Sequence, residues 1–121
     1  MANTFKVVTF AAEPASAGTP YVMYTVASST TAVVLGLVLS NINTTAVTAE
    51  VELVSTTSSR GGANNVANGT SFLIKDVSIP TGSSLEILSG GKVGLEAGDK
   101  IQIDCSVADK LSGTLSIMEI T

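Results

Sequence analysis

The side chains able to perform acid–base or nucleophilic chemistry are few, and histidine is absent. The 121-residue chain carries ten aspartate and glutamate residues, six lysine and arginine residues, one cysteine and no histidine. Without an imidazole, a histidine-based catalytic triad and a histidine-ligated metal are both excluded. The cysteine, Cys105, alternates with Ile101 and Ile103. This spacing predicts a buried thiol that packs as a small apolar side chain rather than a nucleophile.

Carboxylates are the remaining candidates for catalysis or metal binding. They are Glu13, Glu50, Glu52, Asp76, Glu86, Glu96, Asp99, Asp104, Asp109 and Glu119. A pair of them could formally hydrolyse a glycoside, but the chain has no tryptophan and only five tyrosine and phenylalanine residues to line a sugar cleft. The turn at Glu96–Asp99 offers oxygen ligands, yet its spacing matches no calcium loop. The sequence therefore predicts no enzymatic activity, no metal and no cofactor.

Charge is sparse and dispersed along the chain. Charged residues make up 13% of the sequence and the net charge is −4, whereas an average soluble domain is about 25% charged. The six cations do not cluster as nucleic-acid binding requires. The most apolar run, residues 32–39, is much shorter than the roughly 20 residues of a membrane-spanning helix. We therefore expect neither nucleic-acid nor membrane partners, but a hydroxyl-rich surface that suits contact with other proteins.

The elements that must position these side chains are β-strands, because threonine, valine, serine and isoleucine alternate with turn residues. The predicted strands are Thr4–Phe10, Tyr21–Val26, Thr31–Ser40, Val47–Ser55, Ser71–Ile79, Ser84–Leu88, Lys92–Leu95, Lys100–Ser106 and Gly113–Ile120. Short strands separated by turn residues about every 8–12 residues are typical of sandwiches and jelly rolls. We predict a single all-β domain over residues 1–121, an antiparallel β-sandwich or jelly roll of eight to nine short strands.

Two predicted strands are apolar on both faces, whereas a sandwich strand usually shows one face to solvent. One face of each would be filled by Val33, Leu35, Leu37, Leu39, Leu115 and Ile117. The opposite faces would carry Val34 and Val38 in the third strand and Met118 and Ile120 in the last. We therefore predict a subunit interface at these four residues and a homo-oligomer, with a trimer as the expected state.

Turn and strand signatures of the second half carry a family resemblance. They are the turn Ile79–Glu86 (IPTGSSLE), the turn Leu95–Asp99 (LEAGD) and the terminal strand Leu115–Thr121 (LSIMEIT), together with the start Met1–Lys6. In these elements the chain resembles a family of small structural proteins of tailed bacteriophages. It departs from the family in its long polar loop, residues 56–70, which we expect to form a contact surface.

The resemblance implies a virion structural protein made in the host cytoplasm. Its simplest role is that of a decoration or cement protein on the capsid exterior, which stabilises the head by binding major capsid protein or other virion proteins. A neck, tail or fibre-base component is the alternative within the virion. A carbohydrate-binding attachment module is the alternative of another class. Its aromatic platforms would have to come from Phe5, Phe10, Tyr21, Tyr24 and Phe72, most of which we expect inside the core.

Overall fold

All regular structure in the described part of the protein is β-strand. The computed structural model describes residues 2–55, 69–88 and 91–121, so most of the predicted contact loop at 56–70 lies outside the described residues. The strands are β1 (Asn3–Glu13), β2 (Tyr21–Thr25), β3 (Thr31–Asn41), β4 (Val47–Val54), β5 (Thr70–Ile79), β6 (Ser84–Glu86), β7 (Val93–Leu95), β8 (Lys100–Cys105) and β9 (Leu111–Ile120). Each predicted strand is present, with its ends within three residues of the expected positions.

The strands form two antiparallel sheets that face each other. Sheet A has the order β1-β9-β3, with β6 and β7 both paired to the far side of β3. Sheet B has the order β2-β8-β4-β5. Six of the eight connections between consecutive strands cross from one sheet to the other, which is the winding of a jelly roll. The predicted fold class, an antiparallel β-sandwich of the jelly-roll type, is confirmed.

The core lies between the sheets, where every second side chain of each strand points inward. Its fully buried members include Leu37, Leu39, Ile101, Ile103, Leu111, Leu115 and Ile117. Cys105 is also buried, at 3% exposure, and lies in register with Ile101 and Ile103 as predicted.

A β-bulge in β3 changes which of its side chains face the core. Pairing with β9 is regular up to Val34 and resumes at Gly36, so Leu35 is an extra residue that shifts the alternation by one position. Ala32 and Val34 therefore point inward before the bulge, and Leu37 points inward after it. Val34 is 1% exposed, so its prediction as a subunit-interface residue is wrong. The prediction assumed one unbroken alternation along the strand.

The other three predicted interface residues lie on the outer face of sheet A. Val38 pairs with Thr114, and Met118 pairs with Val33, while Ile120 lies at the strand end. All are half-buried, and none of the three belongs to the core cluster or packs against it. Their participation in a subunit interface stays a prediction.

Phe10 requires a glycine on the neighbouring strand. It pairs with Gly113 across β1 and β9, and a methyl group at Gly113 would overlap the Phe10 ring. The space left by the missing side chain lets the ring turn inward, where it meets Tyr21 edge-on with ring centroids 5.3 Å apart. This contact links β1 of sheet A to β2 of sheet B.

The bulge leads to a test with a matched pair of variants. Val34→Lys should destabilise the isolated protein by several kcal/mol, because an unpaired ammonium would be buried in the core. Val38→Lys, on the outer face of the same strand, should change stability by less than about 1 kcal/mol in the monomer. Urea unfolding at low protein concentration measures both. Equal losses for the two variants would contradict the assigned faces.

Candidate functional site

The outer face of sheet B is acidic. Glu50 lies opposite Asp104, and Glu52 lies opposite Gln102, on the central strands β4 and β8. Like charges placed directly opposite each other across strands cost stability, and two contacts offset this cost. The ammonium of Lys75 lies 3.2 Å from Glu50 Oε1, and the Gln102 amide donates a hydrogen bond to Glu52.

A small cavity of about 180 Å³ opens on this acidic face. Its lining comprises Gly18, Thr48, Glu50, Asp76, Asp104, Cys105 and Ser106. Asp104 is 9% exposed because the loop between β1 and β2 covers it. Its Oδ1 accepts hydrogen bonds from the backbone N–H groups of Gly18 at 3.1 Å and Cys105 at 2.8 Å. Alternation places Asp104 on the solvent side of β8, and only the tertiary structure buries it there.

The chemistry of this cavity is that of partnered carboxylates. Burial raises the pKa of Glu50, and the neighbouring Asp76 raises it further, while Lys75 acts in the opposite direction. Burial likewise raises the pKa of the Cys105 thiol, which opposes nucleophilic reactivity. Within residues 2–55, 69–88 and 91–121, no three or more histidine, cysteine, aspartate or glutamate side chains are arranged to hold a metal ion.

On the outer face of sheet A, the three long strands present no charged side chain. Glu86 of β6, which pairs with Val38, carries a charge at the border of this surface. The outward residues are Asn3, Phe5, Val7 and Thr9 of β1; Thr31, Val33, Leu35, Val38 and Ser40 of β3; and Ser112, Thr114, Ser116, Met118 and Ile120 of β9. We refer to this surface as the uncharged face. The net charge of −4 is thus carried elsewhere on the molecule.

Two apolar side chains of the uncharged face are fully open to solvent. Phe5 is 72% exposed and Val7 is 65% exposed. With Lys6 of β1 and Leu35 of β3 they line a groove of about 270 Å³, above Ser116 and Ile117 of β9. Single exposed apolar residues are ordinary, whereas two neighbouring ones beside a groove make this surface the candidate contact site.

The exposure of Phe5 and Val7 was not predicted from the sequence, because most aromatic rings were expected inside the core. In β1 the outward pair Phe5 and Val7 and the inward pair Val8 and Phe10 are equally apolar. Alternation alone therefore could not decide which pair faces the core. The space above Gly113 decides it, because only Phe10 can occupy that space.

A polar cluster joins the two sheets where β1 and β2 run side by side. The Tyr24 hydroxyl of sheet B donates to Glu119 Oε2 at 2.6 Å, and Lys6 Nζ lies 2.7 Å from Glu119 Oε1. The Glu119 side chain is 13% exposed. Lys6 and, to a lesser degree, Tyr24 hold the pKa of Glu119 below its ordinary value. Burial, with a smaller contribution from Glu119, raises the pKa of Tyr24.

Comparison with known proteins assigns no family to this chain. No protein family profile matches the sequence, and no curated protein matches it. Among solved structures, the chain is similar to a protein described under "Bacillus endospore appendages form a novel family of disulfide-linked pili". The TM-score is 0.48 and the sequence identity is 19%, over 99% of this chain and 87% of that one. A likeness at this level assigns no function to this chain, so a proposal must come from the surface itself.

The predicted function as a phage capsid decoration protein is wrong. The structural likeness found is to a spore-appendage protein, and the comparisons return no phage capsid protein. The neck, tail or fibre-base alternative belongs to the same contradicted prediction, and the comparisons show no phage protein as a partner. Turns such as Pro80–Gly82 meet the backbone needs of a tight connection, so they report on fold rather than virion membership. The resemblance itself, and the virion location it implies, stay untested predictions.

The carbohydrate-binding alternative lacks a group of exposed aromatic rings on which a sugar could stack. Phe5 and Phe72 are exposed on opposite sheets, and Phe10 is buried. Tyr21 and Tyr24 are half-buried against the core. The described residues therefore bring no set of aromatic rings together on one surface.

Within the described residues there is no helix that is long and apolar enough to cross a membrane.

The Glu119 cluster makes stability depend on pH in a defined direction. Because the folded-state pKa of Glu119 lies below its ordinary value of 4.5, the unfolded chain binds this proton first as the pH falls. The contacts of ionised Glu119 therefore stabilise the fold fully above about pH 4.5. This stabilisation is lost as the pH falls through the lower folded-state pKa of Glu119. Glu119→Gln should lower the melting temperature at pH 7 and flatten the loss of stability below pH 4.5. Thermal melts at pH 7, 4.5 and 3 measure this, and an unchanged acid slope would contradict it.

Proposed function

We propose that the protein is a non-catalytic structural subunit that assembles with further copies of itself through the uncharged face. The observation that carries this proposal is the exposure of Phe5 and Val7 beside a mainly apolar groove, on a surface whose three long strands direct no charged side chain outward. Removing such a surface from water is favourable in proportion to its apolar area. No carboxylate or ammonium of this face would have to be desolvated on contact.

The dimensions of the uncharged face suit a protein partner rather than a small molecule. Strands β1, β3 and β9 are ten or eleven residues long. With a rise of about 3.3 Å per residue and a spacing of about 4.8 Å, the face measures about 35 by 15 Å. That flat area of about 500 Å² approaches the roughly 600 Å² per partner at the low end of stable interfaces.

A second copy is the partner that best matches this surface. Glu50, Glu52 and Asp104 line the outer face of sheet B, so contact between two such faces would bring carboxylates together. Packing the acidic face of one copy on the uncharged face of another would desolvate those carboxylates without a cationic partner. Two uncharged faces can meet without either cost. Serine and threonine hydroxyls on both sides can form hydrogen bonds across the contact.

Self-assembly of this chain would be non-covalent. The structural neighbour is described as part of a family of disulfide-linked pili. Here the single cysteine, Cys105, is buried between the sheets and its pKa is raised by burial. A buried thiol of this kind does not reach a cysteine of another copy. Apolar contact and hydrogen bonds must therefore supply the binding free energy.

Two matched lysine variants test the proposed function. Ser116 and Thr48 are both half-buried, outward-facing residues of central strands, the first on the uncharged face and the second on the acidic face. Ser116→Lys should weaken self-association at least tenfold because an ammonium would be desolvated at the contact, whereas Thr48→Lys should leave it unchanged. Analytical ultracentrifugation from 1 to 500 μM measures both. A wild-type chain that stays monomeric throughout this range would overturn the proposal.

A further inference from the structure

We propose that β1 is a docking edge that pairs antiparallel with β1 of a second copy, centred on Val7. This inference rests on the proposed function and names the contact by which two copies first join. It concerns the backbone edge of sheet A, whereas the uncharged face concerns side chains. The two contacts can therefore be tested separately.

The sheet edges differ in how well they resist such pairing. Proteins protect edge strands with short length, bulges, charged side chains and proline. Strands β6 and β7 have three residues each, and β2 has five residues with a register shift. β5 carries two register shifts, Lys75, and Asp76 at a φ of 52°.

β1 has none of these protections over most of its length. Asn3 to Phe10 pair with β9 without a register shift, and the first irregularity follows Phe10. This stretch contains no proline, and its only charged residue, Lys6, is held by Glu119 of the same chain. Within the described residues β1 pairs with β9 alone. A long, regular and apolar free edge is the kind of strand that accepts another strand.

The hydrogen bonds at the strand end show which residues of β1 face the free edge. Ala2 and Thr121 exchange both of their backbone hydrogen bonds, at 3.0 Å each. Antiparallel pairs alternate between hydrogen-bonded and non-hydrogen-bonded. Even-numbered residues of β1 up to Phe10 therefore bond to β9, and the odd-numbered ones direct their N–H and C=O groups outward. The free edge offers the backbone groups of Asn3, Phe5, Val7 and Thr9.

Charge excludes one register of the proposed pairing, and strand length favours another. Among the residues that face the free edge, Val7 lies nearest the middle of the regular stretch from Asn3 to Phe10, so centring there pairs the most residues. A two-fold pairing centred on Lys6 would place two ammonium groups directly opposite each other, which is unfavourable. Centring on Val7 places Val7 opposite its own counterpart and Phe5 opposite Thr9, with all outward-facing side chains uncharged. The paired groups of Phe5, Val7 and Thr9 can then form hydrogen bonds in both directions.

Edge pairing would enlarge the surface described above. Two copies joined through β1 form one continuous sheet A, so their uncharged faces lie side by side and double in area to about 1,000 Å². That exceeds the roughly 800 Å² per partner of a standard interface. Two such pairs could then pack face to face as a tetramer with closed symmetry. The expected states are a dimer and a tetramer rather than the trimer predicted from the sequence.

Cysteine cross-linking tests the edge and its register. A hydrogen-bonded pair places its Cα atoms about 5.5 Å apart, within disulfide range. Under copper–phenanthroline oxidation, Val7→Cys should form a covalent dimer, the oxidant accepting the two electrons and two protons leaving the thiols. Phe5→Cys should cross-link only when mixed with Thr9→Cys. Thr48→Cys, on the outer face of sheet B, and the wild-type protein with its buried Cys105 are the controls.

Proline variants separate the edge from the fold. The Val7 N–H points to the free edge, so Val7→Pro should keep the β-sheet circular dichroism spectrum and abolish cross-copy pairing, lowering the mass in solution at least twofold. Val8 belongs to a hydrogen-bonded pair with Leu115, so Val8→Pro should lower the melting temperature strongly. Cross-linking of Val7→Cys decides the matter even where a proline variant fails to fold.

The possible outcomes distinguish edge pairing through β1 from self-assembly through the uncharged face. Selective cross-linking of Val7→Cys together with loss of mass in Val7→Pro supports edge pairing. An oligomeric wild-type protein in which Val7→Cys does not cross-link, or cross-links no faster than Thr48→Cys, overturns edge pairing and leaves the proposed function standing. A trimer with no cross-link at Val7 does the same. A monomeric wild-type protein overturns both.

Discussion

Each strand of the sandwich must place one set of alternate side chains between the sheets. In β3, a single extra residue sets which of the side chains point inward. Leu35 interrupts the pairing of β3 with β9, so Val34 lies in the core and Val38 lies outside. The apolar residues of β3 thus serve two surfaces. Part of the strand closes the core, and Leu35 itself walls the groove beside Phe5. The uncharged face depends on this division.

The separation of charge between the two outer faces follows from the same constraint. Sheet B carries Glu50, Glu52 and Asp104 outward, where loop backbone, Lys75 and Gln102 partner them. Sheet A directs the charges of its long strands to the side of the sandwich, where Lys6 and Glu119 meet Tyr24. The few charged side chains therefore keep the outer face of sheet B in contact with water, while the uncharged face on sheet A carries none of them. The carboxylates of sheet B disfavour contact between two such faces, which is why we propose sheet A as the contact surface.

The edges complete this picture because a jelly roll, unlike a closed barrel, leaves the outer strands of its sheets unpaired. Short strands, bulges and charges protect the other edges, and β1 alone among the described strands combines length, regularity and apolar side chains. An edge and a face that meet at Phe5 and Val7 can act together, since pairing at the edge enlarges the face. Assembly through both is the role that we propose for this chain.

The sequence by itself determined the strands, their approximate ends, the jelly-roll class and the burial of Cys105, because turn residues and period-2 alternation are local properties. It also excluded histidine chemistry. Only the tertiary structure decided three further features: the inward turn of Val34, the burial of Asp104 beneath the loop at Gly18, and the exposure of Phe5 and Val7. Where both faces of a strand are apolar, alternation cannot say which face is inside. Whether a strand is central or at an edge depends on pairing between residues more than a hundred positions apart, such as Phe5 and Met118 in β1 and β9, and no local pattern records that pairing.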